Sequence, residues 1–117
     1  MAKLEKKLSE NAFKVFGHGI PQNSTIDQIN AAVHEVLQLA FGQDSGALER
    51  AKYFRASMPQ TAKPNARLPI MVTIPAGEDL VARILSNDTR AKLKEFQKRT
   101  NKAIFVDPML TPAEVLF

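Results

Sequence analysis

The sequence contains no cysteine, which excludes disulfide bonds, thiolate metal ligands and a cysteine nucleophile. This fits a reducing compartment, and we expect a cytoplasmic protein. Tryptophan is also absent and Tyr53 is the only tyrosine, so the aromatic content is almost all phenylalanine, which fills cores more often than it binds ligands. The two histidines, His18 and His34, are too few for a histidine-based metal site, and we expect no metal or cofactor.

The sequence also lacks a long apolar run. The longest uncharged apolar stretch, 68–77, is far too short to span a bilayer and contains two prolines. The N-terminal residues are charged and show no apolar segment of the kind found in secretory signals. We therefore expect no membrane partner.

A catalytic signature is missing as well. The plausible acid–base groups are Glu78, Asp79, Asp107 and the two histidines, and their spacing does not bring them into one constellation. The sequence therefore predicts a protein that is not an enzyme.

The composition is that of a globular protein, with 44% hydrophobic and 24% charged residues over 117 positions, and we expect one domain over 1–117. The net charge is +4, but it is concentrated between Thr89 and Lys102, a segment with six basic residues and only one acidic residue, Glu95. Such a stripe is typical of polyanion binders, although it also suits a solvated helix face. The six basic residues are Arg90, Lys92, Lys94, Lys98, Arg99 and Lys102.

Residues 1–57 show helical periodicity. Apolar residues at spacings of four predict a first helix over 3–16. A capping box at Thr25 and Gln28 begins a second helix, which Gly42 ends. A third helix is predicted over roughly 46–57. Its cluster of Arg50, Lys52 and Arg55 with Tyr53 could extend a nucleic-acid surface, or could serve solubility alone.

Prolines at 59, 64 and 69 mark a linker over 58–69. The stretch 70–107 then predicts a strand over 70–74, a helix from 77, a second helix capped by Asp88 and a strand over 103–106. The tail, 108–117, contains a capping box with Thr111 as the cap. We therefore expect a helix-rich α+β fold, in which N-terminal helices precede a β-α-α-β unit with a small sheet.

The apolar pattern of 70–107 resembles the K-homology (KH) nucleic-acid-binding module. The similarity lies in Val72-Thr73-Ile74-Pro75, in the pairs Leu80-Val81 and Ile84-Leu85, and in Leu93, Phe96-Gln97, Thr100 and Ile104-Phe105-Val106. The resemblance covers about a third of the chain and implies binding of RNA or single-stranded DNA. Ser86-Asn87-Asp88-Thr89 stands where the family has its GxxG turn, so the unit is a degenerate KH-like one and no base-contacting residues are transferred.

Two functions remain open from the sequence. The first is a small basic protein that contacts the phosphate backbone of DNA or RNA through the helix over 89–102, with little sequence preference. The second is a protein–protein interaction module, such as a virion component, an adaptor or an inhibitor of a larger complex, or a self-associating protein. Under the second hypothesis the apolar C-terminus, Val115-Leu116-Phe117, either docks on a partner or packs back on the domain.

Overall fold

The computed structural model describes residues 6–17, 20, 24–58 and 69–112, with the backbone only for 6–9 and 110–112. These ranges contain four strands and four helices. In chain order they are β1 (Lys6–Gly17), α1 (Ile26–Phe41), α2 (Ser45–Ala51), β2 (Arg55–Ser57), β3 (Ile70–Thr73), α3 (Glu78–Ile84), α4 (Asn87–Thr100) and β4 (Ile104–Pro112). The expected helix-rich α+β class is confirmed.

The strands form one antiparallel sheet in the order β2-β3-β1-β4. Helices α1 and α2 connect β1 to β2, and α3 and α4 connect β3 to β4. Each connection therefore passes over an intervening antiparallel strand, which is the split β-α-β arrangement of ferredoxin-like sheets. The order leaves β2 and β4 at the two edges of the sheet.

All four helices share one hydrophobic core with one face of the sheet. The core side of each strand follows from the register. Phe13 lies between Val72 and Pro108, and Val15 lies between Ile70 and Val106. Phe13, Val15, Ile70 and Val72 are fully buried, which is the alternation expected of strands with one covered face.

The predicted first helix over 3–16 is wrong, because 6–17 forms the central strand β1. The residues that decide this are Phe13 and Val15, which face the core with the half-buried Lys14 between them. A spacing of two is the period of a strand, and pairing with both β3 and β4 outweighs the local helical spacing. A register shift between Leu8 and Phe13 marks a bulge in β1.

The second helix is confirmed. Thr25 accepts a hydrogen bond from the Gln28 amide at 3.2 Å, and Gln28 accepts one from the Thr25 amide at 2.8 Å, which completes the capping box. The third helix is shorter than predicted, because α2 ends at Ala51 and 55–57 forms the edge strand β2. Pairing of Ala56 with Val72 draws this segment into the sheet.

The β-α-α-β unit over 70–107 is present with two changes. The cap of α4 is Ser86 rather than Asp88, which lies in the first turn. Strand β4 does not end at Asp107 but continues to Pro112, because 106–108 and 110–112 pair with β1. Thr111 and Pro112 are therefore strand residues and not the start of a helix, while the rest of the predicted tail lies outside the described residues.

The predicted linker lies mostly outside the described residues, since only Met58 and Pro69 of 58–69 are described. The strand that pairs with the outer side of β3 comes from Arg55–Ser57, just before this segment. The two strands that carry the KH-like pattern, β3 and β4, are separated in the sheet by β1. The resemblance itself stays a prediction.

Candidate nucleic-acid interface

The basic stripe lies on α4, and local contacts fix both ends of this helix. The Ser86 hydroxyl accepts from the Thr89 amide, and the buried Thr89 hydroxyl donates to the Arg83 carbonyl at 2.7 Å. At the other end Asn101 adopts a left-handed conformation (φ 60°) and its amide donates to the Gln97 carbonyl at 2.7 Å. The charged side chains between these caps are therefore presented on a helix of fixed length and orientation.

Helix α4 divides the stripe between two exposed faces. Arg90 and Lys94, four residues apart, lie together on one face with Asn87 and Gln97. Lys92 and Arg99 lie on the other face beside Asp88 and Glu95. Acidic residues offset the positive charge of the second face, where Lys92 forms an ion pair with Asp88 at 3.3 Å. The first face carries only positive charge.

The positively charged face borders a groove of about 620 Å³, which we call the α4–β4 groove. One wall is α4, and the other is the edge strand β4 together with Phe16 of β1. Among the described residues, neither Arg90 nor Lys94 has an ion-pair partner within 4 Å. The residues that line the groove are Phe16, Asn87, Arg90, Ala91, Leu93, Lys94, Gln97 and 104–107.

Two aromatic residues are among those that line the groove on its strand side. Phe16 and Phe105 lie opposite each other in the β1–β4 register, with ring centroids 5.6 Å apart and an angle of 31° between the planes. They point to the sheet face away from the core, because their neighbours Val15 and Val106 are the buried ones. Phe105 is 43% exposed and Phe16 is half-buried, so Phe16 backs the more exposed ring.

One acidic residue, Asp107, also lines the groove. It lies opposite Lys14 in the register, and both side chains are half-buried on the outer face of the sheet. Opposite charges at directly facing positions favour this pairing. Asp107 therefore reduces the positive charge at one end of the groove.

The other basic residues of the stripe lie outside the groove. Lys98 and Lys102 are exposed, and the Arg99 guanidinium lies 5.8 Å from the centre of the Phe96 ring. Helical spacing puts Lys98 on the same side of α4 as Lys94, where it extends the positive surface along the helix.

The second predicted cluster, Arg50, Lys52 and Arg55, does not form one surface with α4 in the described contacts. Arg50 donates to both carboxylate oxygens of Asp79, at 2.9 and 3.0 Å, and so links α2 to α3. Lys52 pairs with Glu49 at 3.2 Å, and Arg55 is exposed on the edge strand β2. Tyr53 is 75% exposed in the turn between α2 and β2.

Of the acid–base candidates, Asp79 has an ion-pair partner on another helix, Arg50. The Arg50 guanidinium lowers the pKa of Asp79 through their hydrogen bonds, and Asp79 in turn raises the pKa of Arg50. Hydrogen bonds from the Ala47 amide and then from Arg83 lower the pKa of Asp44, the cap of α2. These carboxylates stay ionised at neutral pH, and each pair joins the α2 region to α3.

The two histidines differ in what the structure describes. His34 is exposed on α1 and its ring lies edge-on to Phe54 at 5.1 Å, while His18 lies outside the described residues. No group of three or more metal-ligating side chains occurs within the described ranges. The apolar C-terminus, Val115-Leu116-Phe117, is also outside them.

Sequence reasoning missed the aromatic wall. The sequence shows Phe105 only as the middle of an apolar run, and the predicted first helix over 3–16 includes Phe16. The sequence does contain one signal. A strand with one covered face would bury both Ile104 and Val106, so Phe105 between them would point to the uncovered face. The pairing with Phe16 depends on the register and cannot be read from either segment alone.

Comparisons of the chain with protein-family models, with curated proteins and with solved structures give no match. Within the described part of the chain, none of the helices is both long and apolar enough to cross a membrane.

Proposed function

We propose that this chain is a non-enzymatic nucleic-acid-binding protein that holds the phosphate backbone against the α4–β4 groove. The observation that carries the proposal is the segregation of charge on α4. Arg90 and Lys94 project together over a groove, without ion-pair partners among the described residues, while the acidic residues of the helix lie on the other face. A local excess of positive charge over a concave surface is the electrostatic signature of polyanion binding.

The arrangement gives Arg90, Lys94 and Lys98 distinct roles. Arg90 can donate two parallel hydrogen bonds to one phosphate, and Lys94 contributes a mobile point charge one helical turn away. Lys98 extends the track by another turn. A few phosphate contacts of this kind produce binding that is strongly salt-dependent and has little sequence preference.

The experiment is a fluorescence-anisotropy titration with labelled oligonucleotides at about 50 mM and about 200 mM salt. The test variant is Arg90→Glu/Lys94→Glu and the matched control is Lys92→Glu/Arg99→Glu, which makes the same charge change on the other face of the same helix. We expect the groove-face variant to lose roughly tenfold or more in affinity and the control to lose much less. Equal losses in the two variants, or no binding by the unmodified protein at the lower salt concentration, would refute the proposal.

The salt dependence gives a second measurement. Each phosphate contact on a single strand contributes about −0.7 to the slope of log K against log salt concentration. Loss of two contacts in the groove-face variant should make the slope less steep by about 1.4. The control variant should keep the slope of the unmodified protein.

A protein–protein interaction module is the second candidate function, and one observation favours it. Within the described residues, β4 has a paired strand only on its β1 side, so the main-chain groups along its other edge can accept an added strand. A size-exclusion mass measurement separates the two functions. A defined oligomer free of nucleic acid supports this second function, whereas a monomer that co-purifies with nucleic acid supports the first.

We also propose a cytoplasmic location, because the chain has no cysteine and so no disulfide that an oxidising compartment would maintain. The KH resemblance stays a prediction that agrees in ligand class with the proposed function. The proposed phosphate contacts are those of Arg90 and Lys94, and they do not require a GxxG turn at 86–89.

A further inference from the structure

We infer that the α4–β4 groove selects single-stranded over duplex nucleic acid, with a base stacked on the Phe16–Phe105 pair while its phosphates lie against Arg90 and Lys94. This rests on the proposed function and deepens it, because it assigns the ligand class and gives the aromatic wall a role. The inference starts from the difference between the two walls. Two cations of α4 and two aromatic residues of the outer sheet face line the groove on either side of the β4 edge, and these are the two kinds of surface that single-strand binders combine.

The exposure of Phe105 is the first step. It is one of three large hydrophobic side chains that are exposed in the described structure, with Ile26 and Tyr53. Its neighbours in β4, Ile104 and Val106, are 6% and 4% exposed and already supply the core contacts of this strand. The fold therefore has no need of an aromatic ring at position 105, where a polar residue would satisfy an outer strand face.

The geometry of the ring pair is the second step. Phe16 supports Phe105 from the adjacent strand, with ring centroids 5.6 Å apart and the planes tilted by 31°, so the half-buried ring packs against the more exposed one at the groove. A flat, supported ring accepts a base by stacking, and every base has a π-face, so the contact tolerates any sequence.

The groove also holds two amide side chains. Asn87 and Gln97 lie on the α4 wall on either side of Arg90 and Lys94. An amide group presents both donors and acceptors, which can pair with the edge of a base that no complementary strand covers. In a duplex these edges are paired and the base faces are stacked on each other, so only the phosphates could use the groove.

The test compares three ligands of equal length in the anisotropy assay: an oligothymidylate, an abasic strand with the same phosphates, and a duplex. The variant is Phe105→Ala, and its control is Tyr53→Ala, which removes another exposed aromatic ring outside the groove. We expect Phe105→Ala to lower oligothymidylate affinity roughly tenfold and to leave abasic-strand affinity unchanged. The unmodified protein should bind oligothymidylate more tightly than the duplex, and Tyr53→Ala should match it throughout.

A second readout does not depend on the stability of the variant. A strand with one 2-aminopurine base changes its fluorescence when that base stacks on a ring, so quenching on binding to the unmodified protein reports the contact directly. Phe105→Tyr should keep the quenching, because it retains the ring. Equal losses for the oligothymidylate and the abasic strand, or a duplex affinity as high as the single-strand affinity, would overturn the inference.

These outcomes are separate from failure of the proposed function. If the groove binds phosphate without stacking, all three ligands bind, Arg90→Glu/Lys94→Glu weakens all of them, and Phe105→Ala weakens none. If the proposed function itself is wrong, the charge reversals on the two faces of α4 have equal effects. The two results cannot be confused, because one variant removes charge and the other removes only a ring.

Discussion

Arg50 on α2 donates to both carboxylate oxygens of Asp79 on α3, with nitrogen–oxygen distances of 2.9 and 3.0 Å. A second ion pair, Arg83 with Asp44 at 2.9 Å, joins α3 to the start of α2, and the Arg83 guanidinium lies 4.7 Å from the centre of the Phe41 ring. Both pairs are exposed, so each contributes little to the free energy of unfolding. Their main effect is to fix the orientation of the two short helices.

The Arg50–Asp79 pair predicts a stability change at acidic pH. The pKa of Asp79 in the folded protein lies below its ordinary value of 3.8. The ion pair therefore contributes its full stabilisation above pH 3.8, and this stabilisation is lost as the pH falls through the pKa of the folded state. Asp79→Asn should therefore lower the melting temperature at pH 7, and the difference from the unmodified protein should shrink below pH 3.8. Thermal unfolding followed by circular dichroism at several pH values measures this.

The control for this prediction is Glu35→Gln, because Glu35 has no ion pair among the described residues and its replacement removes the same charge. If Asp79→Asn lowered the melting temperature by the same amount down to the lowest pH, the assigned role of the ion pair would be contradicted. A deficit shared by Glu35→Gln would point to net charge instead.

The sequence predicted the elements whose signals are local. The capping box at Thr25 and Gln28 and the strand, helix and helix pattern after Ile70 depend on neighbouring residues, and all are present. The element 6–17 depends on partners far along the chain. Its helical spacing is local, whereas the burial of Phe13 and Val15 requires β3 and β4 on either side, and the distant contacts decide the structure.

The candidate site shows the same division. The basic residues of 89–102 were visible as a group, but only the helix orientation separates Arg90 and Lys94 from Lys92 and Arg99. The aromatic wall depends on the β1–β4 register, which no pattern within 6–17 or 104–112 specifies. Charge was therefore predictable from composition, whereas the groove required the fold.

Gly17, at the end of β1, gives a test of the β1–β4 contact. It lies opposite Ile104, and a Cβ at this position would collide with the backbone carbonyl of Ala103. Because this obstacle is backbone, it cannot move aside as a side chain would, and we expect Gly17→Ala to lower the free energy of unfolding by about 1–3 kcal/mol. Urea denaturation measures the change.

Gly46 on α2 is the matched control for Gly17. The nearest atom to a Cβ built there is an Asp44 carboxylate oxygen at 3.7 Å, which is ordinary contact. Gly46→Ala should raise the free energy of unfolding by about 0.5–1 kcal/mol, because alanine loses less backbone conformational entropy than glycine when the helix forms. If Gly17→Ala left the free energy of unfolding unchanged or raised it, as Gly46→Ala should, the close approach of β1 to Ala103 would be disproved.

The turn after β3 contains a strained alanine. The Gly77 amide donates to the Ile74 carbonyl at 3.0 Å and closes a turn with Pro75 second and Ala76 third, and Ala76 has a φ of 52°. This third position suits glycine in turns of type II. Ala76→Gly should relieve about 1–2 kcal/mol of backbone strain, but glycine also raises the conformational entropy of the unfolded chain, which offsets part of this gain. We therefore expect the free energy of unfolding to rise by about 0.5–1 kcal/mol.

The same substitution within a helix should have the opposite sign. Ala82 is exposed on α3, and Ala82→Gly should destabilise by about 0.5–1 kcal/mol. Paired urea titrations of Ala76→Gly and Ala82→Gly therefore give a direct comparison. Destabilisation by both would show that Ala76 carries no backbone strain in solution.

Asp107 provides the sharpest prediction about the groove, because it is the one acidic residue among those that line it. If phosphates approach Arg90 and Lys94, the Asp107 carboxylate repels them, and its removal should tighten binding. We expect Asp107→Asn to raise single-strand affinity about two- to fivefold at low salt, with a smaller gain at high salt because the repulsion is screened. Fluorescence anisotropy at the two salt concentrations measures both effects.

The control is Asp27→Asn, which makes the same change in net charge on α1, away from the residues that line the groove. A general gain in positive charge would raise the affinity of both variants alike, whereas a carboxylate inside the binding groove affects only Asp107→Asn. The comparison also locates the ligand along β4, because Asp107 lies only two residues from Phe105, the ring assigned to base stacking. An affinity of Asp107→Asn equal to that of Asp27→Asn would place the phosphates away from this end of the groove.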